Sequence, residues 1–218
     1  MIADLVFLLD VDNTLLDNEA VMDDFRRHLT KTLGLELERR YWDIFERLWN
    51  ELGYADYLGA LQQYRMERPG DPHALAASLF LLRYPFAERL YPRALEVIAA
   101  LRQRGRVVIL SDGDVVFQPN KVERSGLWSA VDGNVLVYIH KEQMLDDIER
   151  RYPARRYVMV DDKIRILAEM KTVWRERLTT VFVRQGRYAR DPALVGAYPA
   201  ADVSIDRIDD LLQAVAGI

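Results

Sequence analysis

Leu5-Val6-Phe7-Leu8-Leu9-Asp10-Val11-Asp12-Asn13-Thr14-Leu15 is the stretch that decides how this chain folds. An apolar run without polar alternation ends in two carboxylates one residue apart, followed by a hydroxyl. A run of this kind suits a strand buried on both faces, as in a parallel sheet covered by helices. In such sheets ligands bind in the crevice beyond the carboxyl ends of the strands. Asp10 and Asp12 therefore stand where chemistry takes place, although Asp, Asn and Thr also begin turns and cap helices.

Further along, three more apolar runs end near polar groups. Val107-Val108-Ile109-Leu110 leads to Ser111, Val135-Leu136-Val137-Tyr138-Ile139 to Lys141, and Tyr157-Val158-Met159-Val160 to Asp161-Asp162. As neighbouring parallel strands they bring two acid pairs, a hydroxyl and an amine to one edge of a sheet. Four unrelated caps explain those residue types poorly. Strands are expected near 106–110, 135–139, 157–161, 179–184 and 202–205. Helical segments alternate with them, the first opening at Pro92 and ending near Gly105, the last running from about Ile208 to Ala216. That alternation predicts an α/β fold with a mainly parallel sheet.

Between Thr14 and Arg89 the periodicity is helical. Tyr41, Phe45, Leu48, Trp49 and Leu52 share one face, and Leu75, Leu79, Leu82 and Phe86 continue in the same manner after Asp71-Pro72. Gly34, Gly53 and Pro69-Gly70 divide the region into about four helices. The chain thus reads as a core of residues 1–16 and 90–218 carrying an inserted, aromatic-rich helical bundle at 17–89.

Composition narrows the function classes. A formal charge of −4 argues against a nucleic-acid binder working through a broad basic surface. The absence of Cys excludes disulfides and thiolate chemistry, and three His make a His-rich metal centre unfavourable. No apolar segment approaches the length of a membrane span, so a cytoplasmic protein is expected. The glycine-rich phosphate loop, the dinucleotide fingerprint and the Gly-x-Ser-x-Gly elbow are missing.

In order, Asp10-Val11-Asp12-Asn13-Thr14, Ser111, Lys141 and Asp161-Asp162 resemble the four motifs of the haloacid dehalogenase-like hydrolase superfamily, which is mostly phosphatases. Ala201-Asp202-Val203-Ser204-Ile205 before the last helix also looks like that family. The resemblance implies a Rossmann-like three-layer α/β/α core with a C1-type helical cap domain at 17–89; the interval from Ser111 to Lys141 leaves no room for the larger alternative cap. It implies that Asp10 is the nucleophile on phosphorus and Asp12 the general acid and base. Ser111 and Lys141 would hold the transferring group, with Thr14 and Asp112 beside it. It also implies Mg²⁺, held by Asp10, Asp161 and the backbone carbonyl of Asp12, with Asp162 at or just behind the metal. The substrate would be a small phosphate ester.

Elementary electrostatics runs the same way. Two carboxylates about 4 Å apart cost roughly 4 kcal/mol at an effective dielectric near 20, so such a cluster takes up a proton or a cation. Oxygen ligands without His or Cys favour Mg²⁺ over zinc.

Three residues depart from the commonest family pattern: Asp112 where Asn is frequent, Glu142 where Pro is frequent, and Arg165 where a second acid is frequent. A metal-independent 2-haloacid dehalogenase is the rival enzyme, but it needs neither Asp12 nor the Asp161-Asp162 pair. A phosphonatase would need a lysine in the insertion, where Lys31 is the only one and reads as an ordinary helix residue. A mutase keeps both Asp10 and Asp12. A non-catalytic phospho-ligand binding module would be expected to have lost one of the acids or the motif lysine. Lys121 competes with Lys141 and ranks below it because its surroundings are helical. Lys163 reads as solvated, His140 as structural, and Arg184, Gln185 and Arg187 as a solvated loop.

Overall fold

β1 (Ala3–Leu9) lies inside a six-stranded parallel sheet, flanked on one side by β2 (Arg106–Asp112) and on the other by β4 (Ala154–Asp161). β3 (Val135–Tyr138), β5 (Leu178–Val183) and β6 (Val203–Ile205) complete the order β3-β2-β1-β4-β5-β6. The computed structural model describes residues 3–214. Pairing puts Leu9 opposite both Ile109 and Val160, so the ends of β1, β2 and β4 are level.

The sheet is buried on both faces, as the unalternating runs require. Phe7, Leu9 and Val11 enter one apolar core with α5 (Ala94–Arg102), α6 (Phe117–Arg124) and α7 (Leu127–Ala130). Val6 and Leu8 enter the opposite core with α8 (Leu145–Arg151) and α9 (Ile164–Trp174). The fold class is therefore a Rossmann-like three-layer α/β/α arrangement. Strand order reverses at β1 and β4, where such sheets open a crevice.

Four helices lie between β1 and α5: α1 (Asn18–Leu33), α2 (Leu35–Leu52), α3 (Tyr57–Glu67) and α4 (His73–Arg83). Asp17 caps α1 by accepting from Ala20 N–H (2.9 Å), and Asp56 caps α3 by accepting from Gly59 N–H (2.7 Å). Gly53 ends α2 at φ 76°, the left-handed conformation glycine tolerates best. Aromatic contacts knit the bundle: Phe25 meets Tyr41 edge-on at 5.3 Å, and Phe45 stacks on Tyr57 at 4.7 Å.

The face expected for α4 is wrong. Ala74, Ala77 and Leu81 are buried, whereas Leu75 is 65% exposed. α4 packs against α1, α3 and α6, with Phe80 stacked on His28 of α1 at 4.3 Å, and small buried alanines let it approach closely. Phe86 is buried but lies in the 3-10 turn Phe86–Arg89. Leu52, expected on the inner face of α2, is also exposed, at 38%. β4 starts three residues before its expected position, because the exposed Arg155 and Arg156 mask its first turns of pairing with β1. The helix expected from Pro92 starts at Ala94. The last one begins as a 3-10 turn (Ile208–Asp210) and continues as a short helix (Leu211–Ala214); residues 215–216 of that expectation lie outside the described residues. No described helix is long and apolar enough to cross a membrane.

Candidate active site

The loop after β1 is folded by its own backbone. Asp10 N–H still pairs with Val160 O (3.0 Å), extending the strand by one residue. The chain then turns so tightly that Leu15 and Leu16 both donate to Val11 O (2.9 and 3.0 Å), and Asn13 takes φ 60°. Gln185, just after β5, braces this loop. Its amide donates to the carbonyls of Asn13 (3.2 Å) and Thr14 (3.1 Å) and accepts from Ile208 N–H (2.8 Å). Gln185 is thus buried rather than solvated. Its neighbour Gly186 must be glycine: at φ 70°, an added Cβ would lie 2.6 Å from Asn13 Cβ.

Asp10 is buried, with one oxygen accepting from Thr14 Oγ1 (3.3 Å) and the other 2.5 Å from Lys141 Nζ. Lys141 follows β3, where His140 adopts φ 60° and Asp112 accepts the Lys141 backbone N–H at 2.7 Å. The ammonium also donates to Leu110 O (3.1 Å) and lies 2.8 Å from Asp161 Oδ2. Burial alone would push this lysine down, but Asp10, Asp161 and Asp112 outweigh it and hold it above the ordinary lysine range.

Asp161 and Asp162, at the end of β4, are both buried. Asp161 accepts Lys163 N–H at 2.8 Å. Both oxygens of Asp162 have no hydrogen-bond donor, and Asp161 Oδ2 has only the Lys141 ammonium. One oxygen from each of Asp10, Asp161 and Asp162 lies within 4.8 Å of the others. Burial first, and mutual repulsion with it, pushes the carboxyls of Asp161 and Asp162 upward despite the nearby lysines. Orphaned buried carboxylate oxygens of this kind fit a hard divalent cation. The Asp12 side chain is not in this trio.

Asp12 is instead gripped by Lys121. Lys121 Nζ, on α6 and fully buried, lies 2.7 and 2.8 Å from its two oxygens and donates to Asn18 Oδ1 at 3.0 Å. On the same face of α6, Gln118 Nε2 donates to Ser111 Oγ at 2.8 Å. Ser111, buried at the end of β2, therefore keeps its hydroxyl proton for another acceptor and does not cap the segment that follows. Asp114 makes that cap, accepting from Val116 and Phe117 N–H.

These groups line or underlie a cavity of about 820 Å³ between the loop after β1 and the helical insertion, with Asp12, Asn13 and Asp112 in its wall. A sequence profile of the haloacid dehalogenase-like hydrolases matches residues 5–171. The chain belongs to the haloacid dehalogenase-like hydrolase family. A crystal structure of a haloacid dehalogenase-like hydrolase from Burkholderia xenovorans LB400 is 59% identical, with a TM-score of 0.95 over 98% of this chain and 97% of that one. The L-2-haloacid dehalogenase of Xanthobacter autotrophicus shares the fold at 18% identity (TM-score 0.67, 100% of both chains). So does the HAD-hydrolase YfnB of Bacillus subtilis, bound to magnesium, at 17% identity (TM-score 0.66, 97% of this chain and 98% of that one). No match is found among curated proteins.

Within this haloacid dehalogenase-like frame, several residues sit otherwise than their sequence context suggests. Lys121 joins the site from a helix, and Lys141 occupies it as well, so the two are not competitors. Lys163 is half-buried in the cavity wall, 5.6 Å over the Tyr188 ring, rather than solvated. Arg187 also lines the cavity, whereas Arg184 faces solvent and pairs with Asp206 at 2.7 Å. His140 packs on the end of α2, where a Cβ on Gly53 would come within 2.7 Å of its ring. Glu142 and Arg165, two of the departures from the family pattern, pair with each other at 3.0 Å. Gln118 escaped sequence reading; its signal was its spacing of three from Lys121 on a short helix right after the Ser111 strand.

Proposed function

We propose that this hydrolase cleaves monoesters of phosphate with small alcohols through an aspartyl-phosphate on Asp10, using Mg²⁺. The observation that carries this reading is the buried trio Asp10, Asp161 and Asp162, in which both oxygens of Asp162 are undonated. Keeping several ionised carboxylates out of water costs several kcal/mol apiece unless a cation compensates them. Metal-independent dehalogenation needs no such compensation. Asp12 in the cavity wall supports the same choice, because a second acid serves an alkoxide leaving group and not a halide.

Asp10 attacks phosphorus in line, the bond from phosphorus to the alcohol oxygen breaks, and the alkoxide takes a proton from Asp12. Water then attacks the phosphorus of the aspartyl-phosphate and gives a proton to Asp12; inorganic phosphate departs and Asp10 is restored. Ser111 donates to the phosphoryl oxygens, and Lys141 offsets charge on Asp10 and on the transferring group. Asp112 sets the backbone of Lys141, and Thr14 orients Asp10. Mg²⁺ held by Asp10, Asp161, Asp162 and the Asp12 carbonyl would neutralise the trio and the phosphoryl charge. Residues 17–89 act as a C1-type cap domain over the cavity and set specificity.

The test is phosphate release from 4-nitrophenyl phosphate with Mg²⁺, with EDTA, and by Asp10→Asn with Mg²⁺. Only the first should be active. Equal rates in all three sink the mechanism, and metal-free halide release from a 2-haloacid favours the dehalogenase.

A further inference from the structure

The aromatic residues of the helical insertion that line the cavity differ in burial. Phe45 and Tyr57 are buried and stack on each other. Trp49, on the same helix α2, is only half-buried and turns toward the cavity. Across the cavity mouth, α10 (Gly186–Arg190) of the core presents a second half-buried ring, Tyr188. The planes of Trp49 and Tyr188 lie within 10° of parallel, with centroids 6.4 Å apart. Trp49 packs one side against the bundle, its centroid 6.3 Å from that of Phe45, and neither ring has a place in the phosphoryl chemistry at Asp10. Each ring keeps only part of its surface open to the cavity, and that part gains free energy when an apolar group covers it.

We infer that the alcohol part of the substrate carries a planar π-faced ring, seated on Trp49 and Tyr188 with its phosphate toward Asp10. This rests on the proposed phosphatase only for the phosphate end. Parallel aromatic faces select flat, polarisable groups. Polar side chains in the cavity lining, Glu46 and Asn50 from α2, suit a ring with hydrogen-bonding edges. Lys163 and Arg187 stand 5.6 and 5.0 Å from the Tyr188 centroid. Their charges hold that ring in place and favour the phosphate passing beside it. At about 820 Å³ the cavity exceeds what a three-carbon phosphate fills and falls in the range of drug-sized ligands. Two sources share this chemistry: a nucleoside 5′-monophosphate and a simple aryl phosphate.

The experiment is isothermal titration of the full chain carrying Asp10→Asn, with Mg²⁺ present, where turnover is suppressed. The probes are adenosine 5′-monophosphate, phenyl phosphate, glucose 6-phosphate and glycerol 3-phosphate. Ring-bearing esters should bind at least about tenfold tighter than ring-less ones. Trp49→Ala and Tyr188→Ala should each erase most of that preference, and Trp49→Phe should keep it, with circular dichroism confirming the fold. Tighter binding of adenosine 5′-monophosphate than phenyl phosphate identifies the nucleoside; the reverse identifies the aryl ester. Equal affinities, tighter binding of glucose 6-phosphate, no binding of either ring-bearing ester, or a preference untouched by both alanine variants overturns the inference. Phosphate release from the same four esters by the unsubstituted protein with Mg²⁺ separates the two readings. Ring-selective binding without hydrolysis of any ester sinks the phosphatase alone, whereas indiscriminate binding and hydrolysis sinks the ring alone.

Discussion

Lys121 Nζ contacts both carboxylate oxygens of Asp12, at 2.7 and 2.8 Å, from a position that is wholly buried. Together with Lys141 on Asp10, this gives each of the two opening acids its own ammonium. The two lysines come from different elements, one from α6 and one from the loop after β3. Lys121 also reaches Asn18 at the start of α1, so the proposed acid/base, the core helix and the insertion meet at one charge. By holding both oxygens of Asp12, Lys121 positions the proposed acid/base for its proton transfers.

Asp12→Ala strands a buried ammonium and should cost about 3 kcal/mol of stability, as breaking one side of a buried pair does. Lys121→Met removes the charge together with its need for a partner and should cost less than half as much in urea unfolding. Its kinetic effect should be larger, a loss of about 10²-fold in kcat on an alkyl phosphate. On 4-nitrophenyl phosphate, whose aryloxide leaves without a proton, the loss should be several-fold smaller. Equal losses on the two esters would disconnect Lys121 from proton transfer.

Mg²⁺ should raise the melting temperature, and by more at pH 8 than at pH 5. Asp161 and Asp162 have folded pKa values above the ordinary carboxylate range, burial being the main cause. The native state therefore binds more protons than the unfolded chain from about pH 4 up to those raised values, and metal-free stability falls as pH rises through that window. A bound cation removes this cost. Asp162→Asn should shrink the Mg²⁺ effect in differential scanning fluorimetry. A gain that is absent, or identical at both pH values, contradicts the cation site.

The fold was legible because its strands are buried on both faces, so apolar runs stood out without alternation. The polar residues just past them, Ser111, Lys141 and Asp161, fell where a parallel sheet puts its strand ends. Lys121 was harder to read, since a lysine on an amphipathic helix looks solvated until the opposing acid is placed in space. Gln185 and Gln118 were hidden for a related reason: an amide in a loop or on a short helix has no pattern, and its worth lies in the backbone or hydroxyl it meets. In α4 two alanines outcompeted leucines for the interior, because packing distance and not hydrophobicity chose the face.

Glu142 and Arg165 each look like a flaw against the family pattern, yet they are one substitution in two places. Glu142 is nearly inaccessible, with Oε2 lacking a donor, while Arg165 bridges it at 3.0 Å and Glu169 at 2.9 Å. Because the guanidinium is partly solvated, the coupling should be modest, about 0.5–1 kcal/mol in a double-mutant cycle of Glu142→Gln and Arg165→Met. Arg165→Asp should destabilise far more than Arg165→Met, since it sets a new carboxylate against a buried one. Glu142→Gln should rescue much of that loss. Additivity in guanidinium unfolding would show that the two residues merely adjoin.

Asp24 on α1 fastens the insertion where the chain returns to the core. It accepts from Tyr84 and Arg27 and from Arg89 at 2.5 Å, and Arg89 also donates to Tyr84 Oη at 2.7 Å. Burial pushes the Asp24 carboxyl up, but the hydrogen bonds from Tyr84, Arg89 and Arg27 together outweigh it and leave it below its ordinary value. A depressed folded pKa contributes stability that is present above the unfolded value and is lost as pH falls through the folded one. Asp24→Asn should therefore lower stability by about 1 kcal/mol at pH 7, where the charge is fully engaged. The gap to the unsubstituted protein should narrow as pH drops below about 4, where the wild-type carboxyl protonates in the unfolded chain and then in the folded one. Urea unfolding at pH 7 and pH 3.5 measures both gaps, and a difference that stays constant between them would show that Asp24 acts by shape and not by charge.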